Sequence, residues 1–383
     1  MAVTCTNWGV GARTGTQGKA GSAERPAVQW QLKARHPNGL VPIPSEAWLP
    51  AGSVSQRDAG YFKNWGIPTM RPNTRSISQL TRRQFAWQTA AAVALHGVSV
   101  LGALLIHSAR HRILCCDYEG NKIAIVAEDG KVEWEHAVQT PQDCWMRPNG
   151  NVLVCYRHGA MEITPQYQVA WEYRAPAQAQ CHSCQPLKNG NVLVAECGMS
   201  RIVEVGKTGQ ITNEIPIASK AKNMGHQFRG TRQTADGHYW VCLMDEQKIV
   251  ELSPTGVLLR EIPVEGYPHA ALRLPNEHLL VTLGPTMKVV ELDKKLNVVW
   301  QISGNDLPGN SLRLPAGCQR LSNGNTIISN YLPGPFLGKQ PQAFEVTREK
   351  QVVWEFTDHA RFKTVNQICV LDGSGGRTGT ELR

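Results

Sequence analysis

Apolar residues along this chain come in short runs, not in helical stripes. Each run is about four to six residues long, rich in Val, Ile and Leu, and ends in a cluster of Asn, Asp, Gly or Pro, the pattern of β-strands between turns. One unit is Leu187-Lys188-Asn189-Gly190-Asn191-Val192-Leu193-Val194, a strand end, a tight turn and a new strand. It recurs as Arg147-Pro148-Asn149-Gly150-Asn151-Val152, as Thr234-Ala235-Asp236-Gly237-His238-Tyr239, as Leu274-Pro275-Asn276-Glu277-His278-Leu279 and as Leu321-Ser322-Asn323-Gly324-Asn325-Thr326. The turn residues Asn149, Asn189, Asp236, Asn276 and Asn323 stand 40, 47, 40 and 47 residues apart, a period typical of propeller blades. Asn-Gly and Asp-Gly fit the type I′ turn, in which both central residues take φ > 0.

Each repeat continues in the same way. A second apolar strand follows, usually with a glutamate: Met161-Glu162-Ile163, Ile202-Val203-Glu204-Val205, Ile249-Val250-Glu251-Leu252, Val289-Val290-Glu291-Leu292 and Phe344-Glu345-Val346. After a polar turn comes an outermost strand that often carries Trp before a polar residue, as at Trp134, Trp171, Trp300 and Trp354. The chain has an innermost strand too many at its end (365–371) and one too few at its start (112–134). Joined, the two halves make one blade. The expected fold is therefore all-β, a six-bladed β-propeller of four-stranded blades, closed by the C-terminal strand completing the first blade. Insertions at 213–225, 303–315 and 332–342 fall in loops that share one face, and insertions clustered on one face mark a binding face.

Charge alters the picture outside this region. Residues 1–110 carry 12 Lys/Arg and 3 Asp/Glu, so 40 − 12 = 28 basic and 31 − 3 = 28 acidic residues remain in 111–383. The repeat region is neutral and lacks the basic cluster that a phosphate-tracking groove needs, so no nucleic-acid partner is expected. Residues 1–69 read as a disordered leader, rich in Gly, Ser, Thr, Pro and Arg, or as a mis-assigned start with Met70 the true initiator. Residues 70–110 read as a twin-arginine-type signal sequence: Arg71, Arg75, Arg82 and Arg83 precede an apolar run over 86–106. The same run is long enough to serve as an N-terminal membrane anchor. Residues 111–373 form the propeller, and 374–383 a flexible tail. The expected location is the periplasm or beyond, and the expected state a monomer.

Cysteine is abundant, with ten of the 11 at or beyond Cys115. Export permits disulfides, yet Cys181 and Cys184 lie on a predicted strand about 10 Å apart, beyond disulfide reach. Cys115 and Cys116 point to opposite faces of their strand. Cys144, Cys184 and Cys318 share one repeat position, five before the turn Asn, as a site for a small buried residue does. No metal set with matching spacing is present. The innermost strands are more informative. Seven residues before each turn, Gln142, His182, Arg229 and His269 stand where a close-packed strand is expected, with Gln185, Gln319 and His226 nearby. Buried polar groups need partners, so these residues line a polar channel or form a ligand site at one mouth. His182, His226, His269 and Arg229 are expected to converge there, and imidazoles beside a guanidinium suit an anion or polar ligand.

The phrases His182-Ser183-Cys184-Gln185-Pro186-Leu187, Gln319-Arg320-Leu321-Ser322-Asn323-Gly324 and Val353-Trp354-Glu355-Phe356-Thr357-Asp358-His359 carry a resemblance to exported bacterial PQQ-like (quinoprotein-like) repeat propellers. It spans roughly 112–372. The resemblance implies an exported propeller, and among its more distant relatives it implies two chemistries. Quinoprotein dehydrogenases oxidise with pyrroloquinoline quinone, but in a larger ring with a dedicated cap. Arylsulfotransferases use six blades and a channel histidine as nucleophile. The expected function is binding of a polar or anionic ligand, or of a partner protein, at one channel mouth without catalysis. The alternative is an enzyme with a mouth histidine, by transfer or by quinone-dependent oxidation; the residues themselves name no cofactor.

The signal reading has a direct check. Replacing Arg82 and Arg83 by Lys is expected to hold the protein in the cytoplasm on cell fractionation. Unchanged delivery to the periplasm would dismiss twin-arginine export.

Overall fold

A computed structural model describes residues 110–371; the leader, the signal or anchor and the tail read from sequence lie outside the described residues. Within them the chain is all-β: six four-stranded antiparallel blades form a six-bladed propeller. Blade 1 contains β1 (Ile113–Asp117), β2 (Lys122–Val126) and β3 (Val132–Ala137). Blade 2 runs through β4 (Pro141–Met146), β5 (Val152–Tyr156), β6 (Gly159–Ile163) and β7 (Val169–Arg174). Blade 3 has β8 (Gln180–Pro186), β9 (Val192–Cys197), β10 (Arg201–Val205) and β11 (Ile211–Pro216). Blade 4 has the short β12 (Thr231–Gln233), then β13 (Tyr239–Leu243), β14 (Lys248–Leu252) and β15 (Leu258–Pro263). Blade 5 has β16 (Pro268–Arg273), β17 (Leu279–Leu283), β18 (Lys288–Leu292) and β19 (Val298–Ser303). Blade 6 has β20 (Leu314–Arg320), β21 (Thr326–Tyr331), β22 (Ala343–Val346) and β23 (Val352–Phe356). The last strand, β24 (Val365–Val370), returns to blade 1 and pairs with β1 as its innermost strand.

The repeated turn differs from the type I′ expectation. Gly150, Gly190, Gly237 and Gly324 have φ of 84°, 86°, 85° and 87°, while the Asn or Asp before each is absent from the residues of positive φ. The amide of Gly150 donates to Arg147 O at 3.0 Å, and Arg147 N donates to Asn151 O at 2.8 Å. This is a three-residue loop, a type I turn closed by a glycine bulge. Pro148 favours it, because its ring fixes the negative φ that the second turn position requires. The Asn side chain turns inward instead: Asn149, Asn189 and Asn323 each accept from the amide two residues on, at 2.9–3.0 Å.

The repeated glutamate explains itself next. Glu162 and Glu345 accept from Asn151 and Asn325 at 2.6 and 2.7 Å, and Glu251 and Glu291 hold His238 and His278 at 2.9 and 2.8 Å. Each carboxylate thus ties the inner turn of its blade to the third strand. Tryptophans tie blade to blade: Trp171 Nε1 donates to Gly206 O at 2.9 Å, and Trp300 Nε1 to Arg348 O at 2.8 Å.

The core lies between blades. Alternate residues of β1 enter opposite interfaces: Ile113 and Cys115 pack with Ile327 and Phe356 of blade 6, while Leu114 and Cys116 pack with Cys144 and Val154 of blade 2. Four further clusters fill the other interfaces. Burying each large apolar side chain stabilises by about 1.5–3 kcal/mol. Closure of the ring depends on β24. Its register with β1 runs from Ile113 opposite Val370 to Cys116 opposite Gln367, and Leu371 N donates to Arg112 O at 2.7 Å. Fully buried Asp117 accepts from the amides of Lys363, Thr364 and Gly120 at 2.9, 2.9 and 3.1 Å. A Cβ on Gly120 would lie 1.9 Å from that carboxylate, so a larger residue there would displace Asp117 from the amides it holds.

Deleting 365–371 is expected to expose the β1 edge and one face of the blade 6–blade 1 core, giving aggregation on size-exclusion chromatography. Asp117→Ala is expected to cost roughly 2–3 kcal/mol in urea unfolding, since buried amides lose their acceptor. A soluble truncation with unchanged melting would refute the closure account.

Candidate functional site

Strands alternate in direction, so loops entering the innermost strands meet the loops between the two middle strands at one mouth. Local sequence shapes these loops. Asn223 caps a single 3-10 turn, Met224–His226, accepting from Gly225 N at 2.9 Å. Ser303 and Asp306 cap each other at Gly304–Asp306. In blade 4 the loop runs on to Thr231, so Arg229 stands just before β12, whereas the sequence placed it on the strand.

At this mouth four consecutive blades are laced together at one level. Arg229 Nη1 donates to His182 Nδ1 at 2.7 Å. Ser183 Oγ donates to Arg229 O at 3.3 Å and accepts from Thr231 N at 3.2 Å. Gly230 N donates to His269 O at 2.8 Å, and His269 Nδ1 meets Ala316 O at 2.8 Å. Gly230 is required here: a Cβ would lie 2.9 Å from His269 O and from Ala270 Cα. His226 sits nearby, its Nδ1 3.0 Å from Asp245 Oδ1.

These contacts fix protons. Arginine only donates, so His182 Nδ1 is an acceptor and its Nε2 carries the proton. That Nε2 is buried without a hydrogen-bond partner among the described residues. A carbonyl only accepts, so His269 donates from Nδ1 and keeps its lone pair on Nε2. Burial, then the Arg229 charge, hold His182 well below the usual imidazole range. Burial, then Arg229, lower His269 to about 3. Burial also lowers His226, against the opposing pull of Asp245. One imidazole thus offers an N–H, its neighbour a lone pair, and a guanidinium lies between them.

An apolar patch borders the cluster. Leu314, Ala316 and Tyr331 are buried together with Tyr118 against them. Tyr118 and Tyr331 meet edge to face at 6.0 Å, and Tyr331 Oη donates to Glu119 at 3.2 Å. Sequence reasoning missed this patch, although the insertions at 303–315 and 332–342 flank it.

Other candidate residues have different neighbours. Gln185 exchanges two hydrogen bonds with the Gln233 backbone, at 2.7 and 3.0 Å, and Gln319 accepts from Val370 N at 2.9 Å. Both bridge innermost strands deeper in the channel. Gln142 is half-buried in blade 2, where its carbonyl accepts from Asn366 Nδ2 at 3.1 Å. Asp143 pairs with Arg232 at 3.0 Å. Among the described residues no group of three or more His, Cys, Asp or Glu is arranged to hold a metal ion. The ten described cysteines are buried free thiols, and burial raises the pKa of Cys115, Cys116, Cys155 and Cys181, keeping them protonated.

The fold defines the chain as a six-bladed β-propeller. A protein of unknown function from Bacteroides caccae is similar in structure: 28% identity, a TM-score of 0.62, and coverage of 68% of this chain and 98% of that one. Virginiamycin B lyase from Staphylococcus aureus matches at 16% identity and a TM-score of 0.42, over 57% of this chain and 69% of that one. The WD40 propeller domain of Doa1 matches at 16% and 0.44, over 56% and 74%. The first of these likenesses supports the propeller fold and nothing beyond it. No family model and no curated protein matches the sequence.

The neutral imidazoles predict an acid sensitivity. Both titrate near ~6.5 once the chain unfolds, so the unfolded state takes up protons first as pH falls. The stability linked to these positions is complete above about pH 6.5 and is lost progressively toward pH 3. His269→Asn, which keeps a donor for Ala316 O, is expected to show a smaller drop in urea midpoint between pH 7 and pH 4 than the parent. Equal drops would contradict the buried neutral state.

Proposed function

We propose that the propeller binds a small organic anion at the mouth formed by blades 3 to 6, and does so without catalysis. The observation that carries this reading is the Arg229–His182 hydrogen bond at 2.7 Å, which holds a guanidinium in place through a neutral imidazole. The lone pair on His269 Nε2 adds an acceptor for a ligand donor, and Leu314, Ala316, Tyr331 and Tyr118 add an apolar bed. Ligand sites commonly combine a few fixed polar groups with an apolar wall.

The proton positions favour binding over chemistry. A general base works best with a pKa near the operating pH, and His269 at about 3 is far below it. The Nδ1 lone pair of His182 is engaged by Arg229, and its Nε2 bears a proton, so neither nitrogen is a nucleophile in this arrangement. The arginine pair before residues 86–106 and the PQQ-like repeat phrases support an exported setting for this activity.

Native mass spectrometry of the protein from its own exported fraction tests the proposal, with calorimetry against short monocarboxylates beside it. A retained or titrated anion is expected, weakened roughly tenfold to a hundredfold in Arg229→Gln, as loss of a charged hydrogen bond implies. Equal binding by parent and variant, or no anion bound in either assay, would overturn it.

A further inference from the structure

One cation at the same mouth has a different standing from its neighbours. The arginines of the blade walls are paired: Arg147 with Glu162, Arg201 with Glu196, Arg232 with Asp143, Arg260 with Glu251, and both Arg320 and Arg348 with Glu291. Arg313 has no carboxylate partner among the described residues, and its buried Nε has no hydrogen-bond acceptor there. Its guanidinium lies over the Phe336 ring, 4.4 Å from the centroid. Burial alone lowers its pKa from the usual range. Stacking uses the flat face of a guanidinium and leaves the in-plane N–H fork for a planar anion.

The platform is built in advance. Asn330 is fully buried on β21, and its Oδ1 accepts from Arg313 N at 2.7 Å. Its Nδ2 donates to Ser311 O at 3.0 Å and to Pro341 O at 2.7 Å. One side chain therefore fixes both insertions, the loop that carries Arg313 and the loop that carries Phe336. Such preorganisation lowers the entropy lost on binding.

Arg313 also lies beside the cluster already described. It precedes Leu314, and Leu314 and His269 both approach Gly284: a Cβ there would be 3.2 Å from Leu314 Cδ2 and 3.4 Å from His269 Cδ2. Counted from the turns, Arg313 stands ten residues before Asn323, as His226 stands ten before Asp236. That is three residues outward of the Arg229–Ala316 level, about 10 Å along an extended chain. Two cationic points thus flank the apolar surface of Leu314.

We propose that Arg313 is a second anion-recognition point on this mouth, so that the ligand is a dicarboxylate whose apolar span crosses Leu314 between Arg229 and Arg313. This rests on the anion-binding reading above and adds the second charge.

Calorimetry on the full chain tests it, with the α,ω-dicarboxylates from glutarate to suberate set against monocarboxylates of equal length. At one or more lengths the dicarboxylate is expected to bind at least tenfold more tightly. Arg313→Gln is expected to abolish that advantage while leaving monocarboxylate affinity unchanged. Phe336→Leu, which keeps the charge and removes its stacking partner, is expected to reduce the advantage in part, and it serves if Arg313→Gln does not fold. No advantage at any length, or an advantage that survives Arg313→Gln, overturns the second point while Arg229→Gln still weakens both series. If Arg229→Gln alters neither series, the anion reading fails and this inference with it.

Discussion

The ring is the constraint from which the rest follows. A single four-stranded blade has two apolar faces and no means of covering either. Ile113 and Cys115 look one way from β1, Leu114 and Cys116 the other, and both pairs are buried. Six clusters result, one for each interface, and every cluster needs both neighbours. Pairing of β24 with β1 makes the arrangement circular and removes the two faces that an open stack would leave bare.

That closure dictates what the channel wall can be. Innermost strands converge, so their side chains meet across blade boundaries instead of meeting solvent. Gln185 and Gln319 satisfy the backbone of a neighbouring strand, and Ser183 does so on both sides of Gly230. At the mouth the same logic yields a chemically defined surface. His269 is oriented by a carbonyl of the next blade and Arg229 by an imidazole of the previous one. Because burial and the Arg229 charge both disfavour protonation of His182 and His269, the positive charge at this level of the mouth is that of Arg229.

The blade count was legible because turn chemistry is local. Asn-Gly at a fixed interval marks hairpins, and the unmatched strands at 112–134 and 365–371 require closure. The turn type was misread because Asn-Gly fits two turns: the glycine has positive φ in both, and only the φ of the residue before it separates them. His182 and Arg229 stood out as polar residues at a repeat position that ought to be apolar. The same rule singled out Gln185 and Gln319, whose bridging of backbone groups depends on the neighbouring blade and leaves no mark in sequence. Arg313 was missed for the opposite reason. It lies in an insertion outside the repeat, and its significance comes from Phe336 and Asn330, which are distant in the chain.

The Arg112–Leu371 hydrogen bond brings the two ends of the described chain side by side in blade 1. Chain direction therefore makes no demand on the ring: cutting any of the repeated Asn-Gly loops and joining residues 112 and 371 by a short linker leaves every strand pair and every interface intact. Blade 1 is the first blade only in the order of synthesis. During synthesis it is also the last to be finished, because β24 is made after every other strand of the ring.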